Sequence, residues 1–283
     1  MQEMVHQWQT LLRLGVPFMG AGLVGALVQL WIRVEVGSTL GAESLGHFQA
    51  AWTISMQYIG FVLAAMGADY YPRLTGVIHD HKAATRLVNE QTEIALLLSA
   101  PVFIAMIGLA PWVIHLLYSS AFASAVDVLR WQILGDLLKV ASWPLGFVIL
   151  AAGSGKTFFW TETLVLVLMG SLIAGFSSRV GLQITGIAFL VCYLVYLPLV
   201  YWLAKRSINF EWTGGNVKLI IVVFAISIAI GVISALYWWG AIVAILVSLA
   251  LTLYALGRLA HMSNLGGYIG RMAALMQSIT TKT

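Results

Sequence analysis

Apolar residues run through this chain in long blocks, broken by charge, glycine or proline. Eight such blocks predict membrane-length helices at about 14–34, 45–68, 94–118, 128–152, 157–178, 182–204, 217–238 and 240–258. The second block organises the rest. Residues 44–68 carry no Asp, Glu, Lys or Arg, and about 25 helical residues at 1.5 Å each cross a hydrocarbon layer of about 30 Å. Its pattern is uneven, however. Gln49, Thr53 and Gln57 recur at i, i+4, i+8, and Gly60, Ala64 and Gly67 extend the row. Buried amides need hydrogen-bond partners, so this face is expected to look into protein or water. Pro72 predicts that the helix gives way to a polar loop at 69–75, with Tyr70 and Tyr71 as interface residues. Loop 69–93 would then hold a short amphipathic helix on the membrane surface around 82–90. Thr92 would cap the next helix, which Pro101 and Pro111 can kink.

Composition narrows the class. Hydrophobic residues make up 60% and charged residues 9% of the chain, against about 25% charged in soluble domains. The expected fold is an all-α integral membrane protein. A net charge of +4 spread over inter-helix loops is no nucleic-acid footprint. The polar 1–10 segment and the long first apolar block argue against a cleavable signal peptide. Cys192 is the only cysteine, so no intrachain disulfide can form. Arg13, Arg73, Lys82, Arg86, Lys156, Lys205, Arg206, Lys218, Arg258, Arg271 and Lys282 fall on one side of the predicted helices, and Arg33, Arg130 and Arg179 on the other. By the positive-inside bias both termini are expected in the cytoplasm.

Several positions could carry chemistry. Gln29 and Arg33 continue a Gly22/Gly25 stripe on the first helix. Arg33 sits near its outer end, either as an interfacial cation on a close-packed glycine face or as part of a cavity wall. Gln29, Arg33, Gln49, Trp52, Thr53 and Gln57 form the candidate substrate cavity. Asp136 and Lys139 lie at i, i+3 inside a membrane helix, where an unpaired charge costs about 2.5–3.5 kcal/mol on insertion scales. They read either as a structural ion pair or as a proton- or sugar-facing site. Glu162 is expected at a different depth from Asp136, and Trp131 and Trp143 suit either sugar stacking or packing. His79, His81 and His115 lack companions at ligand spacing, so no metal site is expected. The segment 152–157, AGSGKT, approaches a phosphate-binding loop, but Leu150 stands where the pattern needs its first glycine. It reads as a tight turn, and no cofactor is expected.

The segment LGHFQAAWTIS followed by GADYYPRLT resembles the second-lobe signature of bacterial polysaccharide exporters, the O-antigen (Wzx-type) flippases. These belong to the multidrug/oligosaccharidyl-lipid/polysaccharide exporter superfamily. LVNEQTEIALLL, APWVIHLLYSSAF and LRWQILGDLLKVASWPLGFVIL continue the likeness, which covers about 11–206. The resemblance implies that 1–206 is the second six-helix lobe of a MATE-like transporter. Residues 207–283 would add two helices and an amphipathic cytoplasmic tail bearing Leu265, Ile269, Met272, Met276 and Ile279. It implies translocation of undecaprenyl-diphosphate-linked glycan across the bacterial inner membrane, without enzymatic chemistry. The alternatives are a drug or cation antiporter of the same fold and a membrane polymerase or ligase of polysaccharide assembly. Such enzymes need carboxylate pairs on sizeable outer loops, which this chain lacks. Exporters of this kind have two lobes. The expectation is therefore a truncated reading frame, or completion by a second copy or a partner chain.

Overall fold

The computed structural model describes residues 2–262, and every element in it is helical. The helices are α1 (Gln2–Val77), α2 (His81–Leu117), α3 (Ala125–Ala151), α4 (Gly155–Val180), α5 (Ile184–Ile208), α6 (Gly214–Leu236) and α7 (Gly240–Met262). Six stretches are long and apolar enough to cross a membrane. Two of them, Gly15–Ala64 and Gly155–Ile208, exceed 50 residues or equal it and are divided, at Gly41 and at Gly181. That division recovers the eight segments expected from the hydropathy blocks. The predicted tail at 265–279 lies outside the described residues.

The breaks are backbone events. Gly41 has φ 88° and ψ 166°, outside the helical region, in the positive-φ range that suits glycine. Gly153 and Gly181 also take positive φ and make the turns that end α3 and α4. The near-match to a phosphate loop is thus a helix-to-helix turn, closed by Gly153 N–H on the Leu150 carbonyl at 3.0 Å and Ser154 N–H on Ile149 at 3.2 Å.

Several sequence expectations give way here. The outer loop expected at 35–44 is helical up to the single break at Gly41, because Glu35 satisfies its neighbours within the turn. Thr39 donates to its carboxylate at 2.9 Å and Ser38 to its carbonyl at 3.2 Å. The polar loop expected at 69–75 is also helical, since α1 runs through Pro72 to Val77. Asp69 and Arg73 pair at 3.0 Å across one turn there. Tyr70 is fully buried rather than interfacial. Its hydroxyl donates to the Pro144 carbonyl at 2.9 Å, and its ring packs on Trp143 and Phe147. Packing outweighs the local proline preference. Finally, 82–90 is no separate surface helix but the first turns of α2. Asp80 caps α2 by accepting from Lys82 and Ala83 N–H at 3.1 Å. Thr92 is buried mid-helix and donates to Val88 instead. The apolar face Ala84, Leu87 and Val88 is buried in one cluster with Leu74 of α1 and Ile78 of the turn that follows it.

Glycine allows α3 and α5 to approach closely. A Cβ on Gly186 would meet the Val128 carbonyl oxygen and the Trp131 Cβ at 2.7 Å, and one on Gly135 would meet the Phe189 ring at 2.5 Å. Gly186→Ala is expected to destabilise the chain by about 2 kcal/mol through overpacking. Gly175, which faces open space, should tolerate Ala or gain about 1 kcal/mol of helix propensity. Thermal unfolding in detergent compares the two.

The α6–α7 pair is fastened to α2 at both ends. At one end Asn89 bonds the 209–213 linker and Asn216, and Glu93 pairs with Arg258 at 2.6 Å. At the other end Arg130 of α3 donates to Ser234 and to the Ile107 carbonyl. Pro111 has no N–H to offer that carbonyl, so the guanidinium takes its place. Outward, α6 and α7 present Ile221, Ile228, Val232, Leu246, Leu249 and Leu253.

Candidate functional site

Helix α3 carries Gln132, Asp136 and Lys139 at i, i+4, i+7, with the first two fully buried. Asp136 and Lys139 do not pair: the ion pairs among the described residues are Arg73–Asp69, Arg130–Asp127, Lys205–Glu211 and Arg258–Glu93. Asp136 turns to α1, where the Ser55 hydroxyl donates to Oδ2 at 2.5 Å and Oδ1 stays buried without a partner. Lys139 faces α5 as well as α1. Its Nζ lies 3.6 Å from Met56 Sδ and 5.8 Å from the ring centroids of both Phe189 and Tyr193. Cation–π contacts of this kind offset part of the cost of taking an ammonium out of water.

Lys139 opens on a cavity of about 280 Å³ between α3, α4 and α5. Ser142, Trp143, Phe147, Glu162, Tyr193 and Tyr196 are among its walls, and Phe18 of α1 contributes to its edge. Glu162 accepts a hydrogen bond from the Tyr196 hydroxyl. The cavity therefore offers one cation, one carboxylate already held by a phenol, the Ser142 hydroxyl, which donates to the Lys139 carbonyl at 2.9 Å, and several aromatic faces. Such a set can hold a polar, hydroxyl-rich or anionic group by charge and hydrogen bonding while ring faces cover its apolar side.

The expected cavity residues distribute differently. Gln49 is half-buried, while Thr53, Gln57, Gly60 and Ala64 are exposed, so this row lies on an outer face of the described helices. Trp52 points inward from the same helix, against Phe48 and Phe189 at 5.8 and 5.6 Å. Gln29 and Arg33 are half-buried on α1, and Gln29 Oε1 and Arg33 Nε are shielded from the surface without partners. The structure thus joins Lys139 and Glu162 in one cavity, with Trp52 behind the Phe189 ring, and places the Gln49/Thr53/Gln57 row elsewhere. Glu162 makes no bond to Asp136, but it shares the cavity of Lys139, which lies one helical turn from Asp136.

Sequence reading missed Gln132, Tyr193 and Tyr196. Gln132 sits one turn before Asp136, and neither of its buried amide atoms has a partner. That polar row was visible at i, i+4, i+7. Tyr193 and Tyr196 stand at i, i+3 in an apolar helix, a spacing that by itself also fits plain packing. Among the described residues no three His, Cys, Asp or Glu side chains converge as a metal site would require.

Long apolar helices around a buried ionic and aromatic cavity define the class: a helical multi-span membrane protein with the architecture of a MATE-type transporter. The solved structure described as MATE in the straight conformation superposes with a TM-score of 0.64 at 19% identity, covering 95% of this chain and 59% of that one. A MOP superfamily transporter from Pyrococcus furiosus, described as having a binding pocket of reverse polarity, gives 0.62 at 16% identity over 90% of this chain and 69% of its own. These likenesses carry the fold alone. In sequence, residues 3–127 match a family described as polysaccharide biosynthesis protein. The lipid III flippase of Escherichia coli (strain K12) is 27% identical over 161 residues. The amylovoran biosynthesis protein AmsL of Erwinia amylovora is 23% identical over 159 residues. Each alignment takes in 56% of this chain, but the chain spans only 38% and 41% of those relatives' lengths. Together these matches bear out the resemblance to the polysaccharide exporters of the multidrug/oligosaccharidyl-lipid/polysaccharide superfamily.

Proposed function

We propose that this chain forms one lobe of an exporter that flips an undecaprenyl-diphosphate-linked glycan from the inner to the outer leaflet of the bacterial inner membrane. The observation that carries this reading is the cavity where Lys139 stands without a carboxylate partner among aromatic walls, beside Glu162. A bilayer excludes such a charge unless it faces protein, water or substrate. Flippase relatives supply the class of cargo. The glycan head needs a wet, polar, aromatic route, and the polyprenyl tail can remain in lipid. Arg33, whose Nε lacks a partner, is the candidate for the diphosphate. Residues 1–206 form the second lobe and α6–α7 an added pair. A first lobe or a second copy completes the cavity wall along Gln49, Thr53 and Gln57. Rocking of one lobe against the other would expose the cavity to each side in turn. In this reading both termini face the cytoplasm, which the Lys and Arg bias along the sequence supports.

The test uses whatever assembly the chain occupies in its native membrane, purified through a tag on this chain and reconstituted in vesicles. A fluorescent undecaprenyl-diphosphate oligosaccharide should become accessible to a leaflet-restricted quencher faster than in empty vesicles. Equal rates would end the proposal. Exposure of the Gln49/Thr53/Gln57 row gives a second check. Single cysteines at these positions should react with a charged, membrane-impermeant thiol reagent, since Cys192 is buried. Protection of all three would remove the row from any water-filled wall.

A cation antiporter is the second reading, favoured by the fully buried Asp136 with one free carboxylate oxygen. The same vesicles distinguish it. Gradient-driven uptake of a cationic dye without glycan transfer would favour the antiporter.

A further inference from the structure

At the opposite end of α2 from Pro111, a second cavity of about 360 Å³ lies between the first turns of α2 and the linker joining α5 to α6. It gathers the ends of several elements: Asn89 reaches across it to Asn216, and Arg258 of α7 pairs with Glu93 beside it. Its lining is rich in charge, and the charges are unequally engaged. Glu93 is held by Arg258 at 2.6 Å, and Glu211 by Lys205 at 3.1 Å. Both of those cations stand outside the lining. Lys82 and Arg86, one turn apart on α2, belong to none of the ion pairs among the described residues, and Glu90 is the one lining carboxylate without a cation.

The neutral groups are biased in the same direction. Trp212 stacks on Tyr201 at 4.9 Å, and its indole Nε1, fully shielded from solvent, has no acceptor. A buried N–H without an acceptor is costly. The Asn89 side chain is already saturated, donating to the Thr85 and Glu211 carbonyls and accepting from Thr213 N and Asn216 Nδ2. What remains for a guest is an ammonium, a guanidinium, an indole N–H and the Thr85 hydroxyl: four donors against Glu90.

We propose that this cavity binds a phosphate-bearing anion at the end of the bundle where the basic residues collect. A phosphate presents several acceptor oxygens at once, which suits a fork of cationic and neutral donors better than a single acceptor does. The group could belong to an anionic phospholipid headgroup at the bilayer surface or to a soluble phosphate. In either case the guest would bridge α2 and the α5–α6 linker. This site is distinct from the Lys139 cavity and does not depend on its role.

Two probes separate the sources. In the first, the full chain is taken from bilayers of phosphatidylethanolamine and phosphatidylglycerol, and retained lipid is counted by native mass spectrometry. In the second, inorganic phosphate is titrated calorimetrically into the delipidated protein. The variants are Lys82→Gln with Arg86→Gln, and Trp212→Phe, which removes the N–H and keeps the ring on Tyr201. Lys156→Gln, at another basic turn, is the control. For a lipid site, the native chain should retain phosphatidylglycerol over phosphatidylethanolamine. Both variants should lose that preference at least about fivefold, which is about 1 kcal/mol in affinity terms, and the control should keep it. For a soluble ligand, phosphate should bind the native protein and not the variants, with no lipid preference. If the double variant does not fold, Trp212→Phe alone decides. Native and variant chains that behave alike with both probes overturn the proposal.

Discussion

Lys139→Met is expected to leave a chain at least as stable as the native one and to slow glycan translocation by roughly ten- to a hundredfold. The two halves of that result have different origins. Lys139 contacts Met56 and two aromatic rings, and it has no ion pair. Withdrawing an ammonium from water costs several kcal/mol even after relaxation. The cation–π contacts return about 2 kcal/mol or somewhat more at a desolvated site, less than that cost. Methionine fills similar space without that penalty, so the unfolding temperature should hold or rise. Translocation loses a charge-assisted hydrogen bond of about 1.5–3 kcal/mol, which corresponds to the stated range at about 1.4 kcal/mol per factor of ten. Initial rates and thermal unfolding are measured on one preparation. Were Lys139 a structural residue, rate and stability would fall together, and Lys139→Arg would not restore transport selectively.

Asn89→Ala should destabilise the protein by about 3 kcal/mol and loosen α6–α7 from α2. The Asn89 amide donates to Thr85 and Glu211 carbonyls at 2.9 and 3.0 Å and accepts from Thr213 N and Asn216 Nδ2 at 2.9 and 3.0 Å. Asn89 and Asn216 are both buried. Truncation would strand donors and acceptors of the linker, each costing about 1–3 kcal/mol where water cannot reach. Asn216 keeps one bond, to the Asn89 backbone carbonyl at 2.8 Å, so the losses do not simply add. Asn89→Asp retains the acceptors and should fall between the two. Denaturation midpoints, together with protease cleavage within 209–213, provide the readout. Unchanged values for Asn89→Ala would mean that the Ser248 hydroxyl of α7, which donates to the Pro101 carbonyl of α2 at 2.7 Å, Arg130 and apolar packing hold the pair without it.

The antiporter and flippase readings share this architecture and differ in which buried group touches cargo. Lys139 in an aromatic cavity suits an anionic or hydroxyl-rich head, whereas Asp136 is engaged by Ser55 and turned away from that cavity. Transport lost through Lys139 and preserved in Asp136→Asn would therefore favour the glycan. The reverse pattern would favour a cation.

Sequence alone determined the membrane class, the eight helical segments and the end of the bundle that collects basic residues. Each follows from local free energy. A run of apolar residues must close its own backbone hydrogen bonds in lipid, so its length and position are set without reference to distant neighbours. Sequence also marked Asp136, Lys139 and Glu162 as costly and fixed which residues share a helical face. It could not say what those faces meet. Ser55 and Asp136 are 81 residues apart, Tyr196 and Glu162 are 34 apart, and Asn89 and Asn216 are 127 apart. The same dependence explains why Tyr70 left the interface for the core and why α1 continued through Pro72. A buried phenol bonded to Pro144 and a packed ring outweigh one missing backbone donor. The close α3–α5 contact at Gly135 and Gly186 turns Lys139 toward Phe189 and Tyr193 and Asp136 toward Ser55. Spacing along one helix put the two charges side by side; the packing of three helices around them decided that they do not pair.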